Sequence, residues 1–143
     1  LGKVPVVKML LEKGADLNLK SKSGTILETA FKRNQFEAGK LLIQNGADVN
    51  LTISGGWTLL HWASQTGKVE AVRLLIDGKA NLNLQDKYGE TALHAAIRGK
   101  SSPIVKLLVE NGADRNIKSN DGESPLDFAR KVGDNESIKL LEK

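Results

Sequence analysis

The sequence contains no cysteine, only three prolines and few aromatic residues, namely two Trp, one Tyr and three Phe. Without cysteine there are no disulfides, thiolate zinc sites or cysteine nucleophiles. No apolar run reaches the ~18 residues that a membrane span requires. The segment from Leu1 to Pro5 shows no basic stretch followed by an apolar one, so no export signal is visible. We therefore expect an intracellular location, cytoplasmic or nuclear.

The 143 residues have the length of one domain. Hydrophobic residues make up 40% of the chain and charged residues 27%, which is typical of a globular protein rather than a disordered one. The formal net charge of +4 fits an acidic partner. It is too small to indicate nucleic-acid binding on its own.

A fixed period runs through the whole chain. The segment Gly-Ala-Asp-x-Asn occurs at 14–18, 46–50 and 112–116, and Lys79 to Asn83 holds the same place between them. Two further markers keep the same step, one a Thr or Ser before a short apolar pattern and the other a pair of apolar residues. The first stands at Thr25, Thr58, Thr91 and Ser124, and the pairs begin at Met9, Leu41, Leu74, Leu107 and Leu140. Three markers in one register predict a stack of like units.

These markers resemble ankyrin repeats, which have a 33-residue period and a Thr-Pro-Leu-His-x-Ala block. The segments at 58–63 and 91–96 carry the block most fully. The resemblance implies an all-α fold, a solenoid of stacked helix-turn-helix units with hairpin or finger loops, in about four and a half repeats. The expected units are a partial repeat at 1–18, full repeats at 19–50, 51–83 and 84–116, and a capping repeat at 117–143. Since Gly2-Lys3-Val4 aligns between two helices of a repeat, we expect the sequence to be part of a longer protein.

Local signals predict the ends of the helices. The Thr and Ser markers are N-caps by position, Pro125 stands at the first helical position, and Thr25…Glu28 has the form of a capping box. The residues three positions after the other caps can bond back similarly, and these are His61, His94 and Asp127. Second helices are expected to end at left-handed glycines, whereas Lys79 holds that place in one repeat. Lys79 must therefore adopt a strained left-handed conformation or shift the end of its helix.

No arrangement in the sequence indicates catalysis, a cofactor or a metal site. His61 and His94 occupy equivalent capping positions, and neither has a nucleophile or a ligand set at a suitable spacing. The segment Gly99-Lys100-Ser101 has the form of the end of a phosphate-binding loop, but the required earlier glycine is absent. A Ser101 or Ser102 cap on a helix that starts at Pro103 explains it more simply. We therefore expect the chain not to be an enzyme.

What remains for function is the surface. The resemblance implies that a partner contacts two surfaces. One is the finger tips, and the other is the exposed side of the first helix of each repeat, here called the concave face. The positions that carry over are Lys20, Lys22, Lys32, Arg33, Ser54, Trp57, Gln65, Lys87, Tyr88, Glu90, Arg98 and Lys131. Because most of them are basic, they favour an acidic segment of another protein, with ordinary solvated lysines as the alternative. Trp57 either contacts the partner or packs on the neighbouring finger, while Trp62 is expected to be partly buried.

Three functions stay open at this stage. The first is a non-catalytic protein-interaction module, monomeric and without a small-molecule substrate. The second is binding of nucleic acid or another polyanion by the basic residues of the concave face, although aromatic residues are few and no recognition motif is present. The third is a regulatory or targeting domain of a larger enzyme, channel or effector. The sequence does not identify the partner.

Overall fold

The computed structural model describes residues 4–21 and 24–142, without the side chain of Ser54, and this part of the chain folds into nine α-helices with no β-strand. The helices in chain order are α1 (Val4–Glu12), α2 (Ile26–Lys32), α3 (Phe36–Gln44), α4 (Leu59–Gln65), α5 (Val69–Asp77), α6 (Ala92–Arg98), α7 (Ser102–Glu110), α8 (Pro125–Val132) and α9 (Asn135–Leu141). The all-α expectation is confirmed. The even-numbered helices are the first helices of their pairs, and α3, α5, α7 and α9 are the second helices.

Each first helix begins at the predicted cap. Thr58 and Ser124 form complete capping boxes with the residues three positions later. At Thr91 the imidazole Nδ1 of His94 accepts the backbone N–H at 3.1 Å. Pro125 is the first residue of α8, where its missing N–H removes no helical bond. These bonds satisfy N–H groups that a helix end leaves without partners, so the caps set where the helices start.

The first of the four caps differs from its predicted form. Thr25 Oγ1 accepts the N–H of Glu28 at 3.1 Å, as expected, but the Glu28 carboxylate binds the Lys32 ammonium at 2.5 Å. The prediction of a reciprocal capping box at Thr25…Glu28 is therefore wrong in its second half. Glu28 is only 5% exposed, and an ion pair offsets the cost of burying its charge better than one N–H would.

The helices stack into one array. The first helix α6 packs between α4 and α8, the second helices pack in order from α3 to α9, and the two helices of each pair contact each other, while α2 packs mainly on α3. The second leucine of each pair in α3, α5 and α7, namely Leu42, Leu75 and Leu108, is completely buried. A single core cluster extends from Val7 in α1 to Leu141 in α9. The solenoid that the repeat markers predict is thus confirmed.

Left-handed residues follow each of the helices α1 to α8. Gly14, Gly46 and Gly112 have positive φ after α1, α3 and α7, and Lys79 after α5 shares their conformation with φ 64°. Lys79 therefore adopts the strained conformation, and the end of its helix does not shift. The repeat markers did not predict the left-handed residues after the first helices, where Asn34 and Lys100 have φ of 56° and 52°.

We expect Lys79→Gly to stabilise the protein by about 1 kcal/mol, because glycine adopts positive φ without the Cβ clash. Chemical unfolding followed by circular dichroism measures the change. Lys106→Gly, an exposed site inside α7, is the matched control and should cost about 1 kcal/mol. A Lys79→Gly protein no more stable than the wild type would show that the lysine side chain compensates for its backbone.

Candidate functional site

The two histidines are structural links between successive repeats. His61 Nδ1 accepts the Thr58 N–H at 3.1 Å, so the proton resides on Nε2, which donates to the backbone oxygen of Glu90 at 3.1 Å. His94 bonds Thr91 and the backbone oxygen of Glu123 in the same way. Burial lowers the pKa of both imidazoles, more than their backbone bonds raise it. Each ring is therefore neutral near pH 7, and both of its nitrogens are already hydrogen-bonded.

No cluster of three or more His, Asp or Glu side chains within 4–21 and 24–142 is placed to hold a metal ion. In the same residues, no helix combines the length and the apolar character that crossing a bilayer requires.

The fingers of three repeats, residues 51–58, 84–91 and 117–124, are joined by hydrogen bonds. The Lys87 N–H donates to the oxygen of Gly55 at 2.8 Å, and the Asn120 N–H donates to the oxygen of Tyr88 at 2.8 Å. We call these three connected fingers the ledge. The preceding finger reaches the ledge through the Lys20 ammonium, which donates to the oxygen of Thr52 at 2.7 Å.

A second series of bonds joins the repeats at the base of the fingers. The side-chain oxygens of Asn18, Asn50 and Asn83 each accept a backbone N–H of the following repeat at 2.8 Å. Their N–H donors belong to Asp48, Asn81 and Asp114, respectively. These asparagines therefore fix the spacing of the fingers. This is a structural role for the asparagine that recurs in each repeat.

Three of the cations predicted on the concave face are paired with carboxylates of this chain. Lys131 binds Glu123 at 2.7 Å, and this hydrogen bond raises the pKa of Lys131. Arg98 binds Glu90 with the same eight-residue separation one repeat earlier, and Lys32 binds Glu28. Neighbouring carboxylates therefore partly neutralise three of the cations on the concave face. The recurrence of Glu and a cation eight positions apart in two successive repeats was the available signal.

The concave face of the repeat with α4 has no such ion pair. In this repeat Trp57 stands where the next repeat has Glu90, and Gln65 stands where it has Arg98. The Trp57 indole N–H donates to Asp86 Oδ2 of the next finger at 2.8 Å, and its ring stacks on His61 with 6.2 Å between centroids. Trp57 therefore packs on the neighbouring finger, which is one of the two interpretations left open above. Trp62 is half-buried, as expected.

Among the predicted residues, Arg33, Lys20, Lys87 and Tyr88 are exposed and form no salt bridge within the described part of the chain. Tyr88 is 56% exposed on the ledge. The Lys87 ammonium lies 4.7 Å from the centroid of the Tyr88 ring. Lys22 falls outside the described residues, and so does the side chain of Ser54.

The interpretation of Ser101 and Ser102 needs correction. Helix α7 begins at Ser102 rather than Pro103, and its N-cap Ser101 makes no side-chain capping bond. The Ser102 hydroxyl instead donates to Glu136 of the next pair at 2.6 Å. Pro103 sits within the first turn, where its missing N–H leaves no donor to satisfy.

Comparison with known proteins agrees with this architecture. A family model described as "Ankyrin repeats (3 copies)" matches residues 30–119 and, in a second register, residues 60–143. These matches cover more than half of the chain. No curated protein matches the sequence significantly.

Proposed function

Because the chain belongs to the ankyrin-repeat family, whose repeats are generally protein–protein interaction modules, we propose that it is a non-catalytic module that binds another protein through its concave face and finger tips. The observation that carries the proposal is the hydrogen-bonded ledge, whose backbone is fixed before any partner arrives. A preorganised surface loses little conformational entropy on binding. Polyanion binding is disfavoured, since Lys32, Arg98 and Lys131 are already paired.

The structure restricts which residues a test can change. Trp57 binds Asp86 and Lys32 binds the buried Glu28, so replacing either one disturbs the fold as well as the surface. Arg33 and Thr66 are exposed at the ends of the first helices and are better targets. The matched control is on the second helices, where Arg73 and Gln44 are exposed. Arg33→Glu with Thr66→Glu changes the charge by the same amount as Arg73→Glu with Gln44→Glu.

The experiment uses the purified chain to capture proteins from an extract of the cells that produce it. A captured protein counts only when it binds again after separate purification, in a calorimetric titration. We expect the Arg33/Thr66 variant to bind at least about tenfold more weakly and the Arg73/Gln44 variant to bind within about twofold of wild type. Loss of binding in the Arg73/Gln44 variant alone would place the interface on the second helices and contradict the proposal.

A further inference from the structure

We propose that the ledge recognises an acidic, extended segment of the partner, and that the basic residues of the concave face do not. In this arrangement a carboxylate of the segment pairs with Lys87 Nζ, and an adjacent apolar side chain covers the exposed part of the Tyr88 ring. The inference rests on the proposed function and specifies the chemistry of the partner.

The backbone of this part of the ledge is fixed on both sides. The Tyr88 N–H donates to Asp86 Oδ1 at 2.8 Å, and its oxygen accepts the Asn120 N–H. The Asn120 side chain also donates to the oxygen of Lys87 at 3.0 Å. Residues 87 and 88 are thus held by the fingers before and after them. A ligand that binds here does not have to order a loop.

The Lys87 and Tyr88 side chains are positioned as a pair. The lysine stem lies against Gly55, where an added Cβ would come within 3.2 Å of Lys87 Cδ. Its ammonium lies over the Tyr88 ring, which is still 56% exposed. Among the described residues, only a few large apolar or aromatic side chains are as exposed as Tyr88. Rigid, exposed tyrosines are frequent hot spots of protein interfaces.

The charges of the fingers favour an acidic ligand at this position. Asp86 is 8% exposed and accepts the Trp57 indole N–H as well as the N–H groups of Tyr88 and Glu90. Because Glu90 and Glu123 are paired with Arg98 and Lys131, their carboxylates do not neutralise the finger lysines. Exposed cations remain on the fingers at Lys20, Lys87 and Lys118. Asp121 is an exposed carboxylate on the same fingers, and the exposed Asp127 interacts with Lys118 rather than with Lys20 or Lys87. Opposite charge then guides an acidic segment to the ledge.

The probe is a phage-displayed library of short random peptides, selected on the full chain. Enriched peptides are synthesised, and their dissociation constants are measured by fluorescence polarisation. The ledge variant is Lys87→Ala with Tyr88→Ala. Its matched control is Lys8→Ala with Met9→Ala on α1, because Met9 is 54% exposed and also follows an exposed lysine.

We expect enriched peptides to be rich in Asp and Glu with at least one apolar residue. The ledge variant should bind them at least about tenfold more weakly, and the control within about twofold. Binding should weaken as NaCl rises from about 50 to about 300 mM, and less steeply in the ledge variant.

Two results would overturn the inference. One is enrichment of peptides without an acidic bias. The same holds for peptides that bind the ledge variant as tightly as the wild type but no longer bind the Arg33/Thr66 variant. This result moves the site to the concave face and leaves the proposed function intact. The other is the absence of any enriched peptide, which contradicts recognition of an extended segment. The proposed function is then decided by the captured, purified protein alone.

Discussion

Gly39→Val should destabilise the protein by about 2–3 kcal/mol, because the new side chain overlaps the Phe31 ring. Gly39 lies in α3, and the equivalent residues of α5 and α7 are Val72 and Val105, both completely buried. Phe31 in α2 is completely buried as well, whereas its equivalent in α4 is Ser64. Compared with the next pair, α2 therefore has a larger side chain at this contact and α3 a smaller one. Since a packed core does not absorb an additional branched side chain, the strain appears in the free energy of unfolding.

The double variant Phe31→Ser with Gly39→Val is the control, because it reproduces the combination of Ser64 and Val72. Phe31→Ser alone leaves a cavity and costs about 3–5 kcal/mol. We expect urea unfolding of the double variant to show a smaller loss than the sum of the two single losses. Additive losses would mean that Gly39 is present for a reason other than the size of Phe31.

His94→Ala should cost about 3 kcal/mol. The imidazole is completely buried, and its removal leaves a cavity as well as an unpaired Thr91 N–H and an unpaired Glu123 carbonyl. Thermal or urea unfolding measures the change, and Lys100→Ala, an exposed residue after α6, serves as the control. A loss below about 1 kcal/mol would show that water replaces the ring without cost.

The same variant has a second, pH-dependent readout. In the folded protein the pKa of His61 and His94 lies below the ordinary 6.5, chiefly because of burial. The unfolded chain therefore takes up protons first, so the histidine contribution is complete above pH ~6.5 and is lost as the pH falls below it. His94→Ala removes one of the two groups and should weaken this dependence between pH ~7 and pH ~5. An identical slope in the variant would assign the acid sensitivity to other groups.

The features predictable from the sequence are those decided within a few residues. The Thr58 cap and the proline at the start of α8 follow from local backbone chemistry. The repeat alignment left two alternatives for Lys79, and the structure shows the left-handed one. Those features also fix the register of the stack, because the markers recur in step. The all-α solenoid could therefore be predicted in full.

The features that sequence reasoning missed depend on which groups the folded chain buries and brings together. Glu28 binds Lys32 because the fold buries its carboxylate, and the Ser102 hydroxyl binds Glu136, 34 residues away. Counting basic residues overestimated the charge of the concave face for the same reason, since the Glu partners of Arg98 and Lys131 lie on the fingers. Charge composition does not show which ions pair.

Hydrogen exchange of the chain, measured with and without a purified protein partner, tests the central claim most directly. If in-register stacking leaves the ledge and the concave face free for binding, the partner should protect amides in the fingers at 84–91 and 117–124 and in α4 and α6. Amides of α3, α5 and α7 should exchange as in the free chain. Protection confined to α3, α5 and α7, with unchanged exchange in the fingers, would contradict the account.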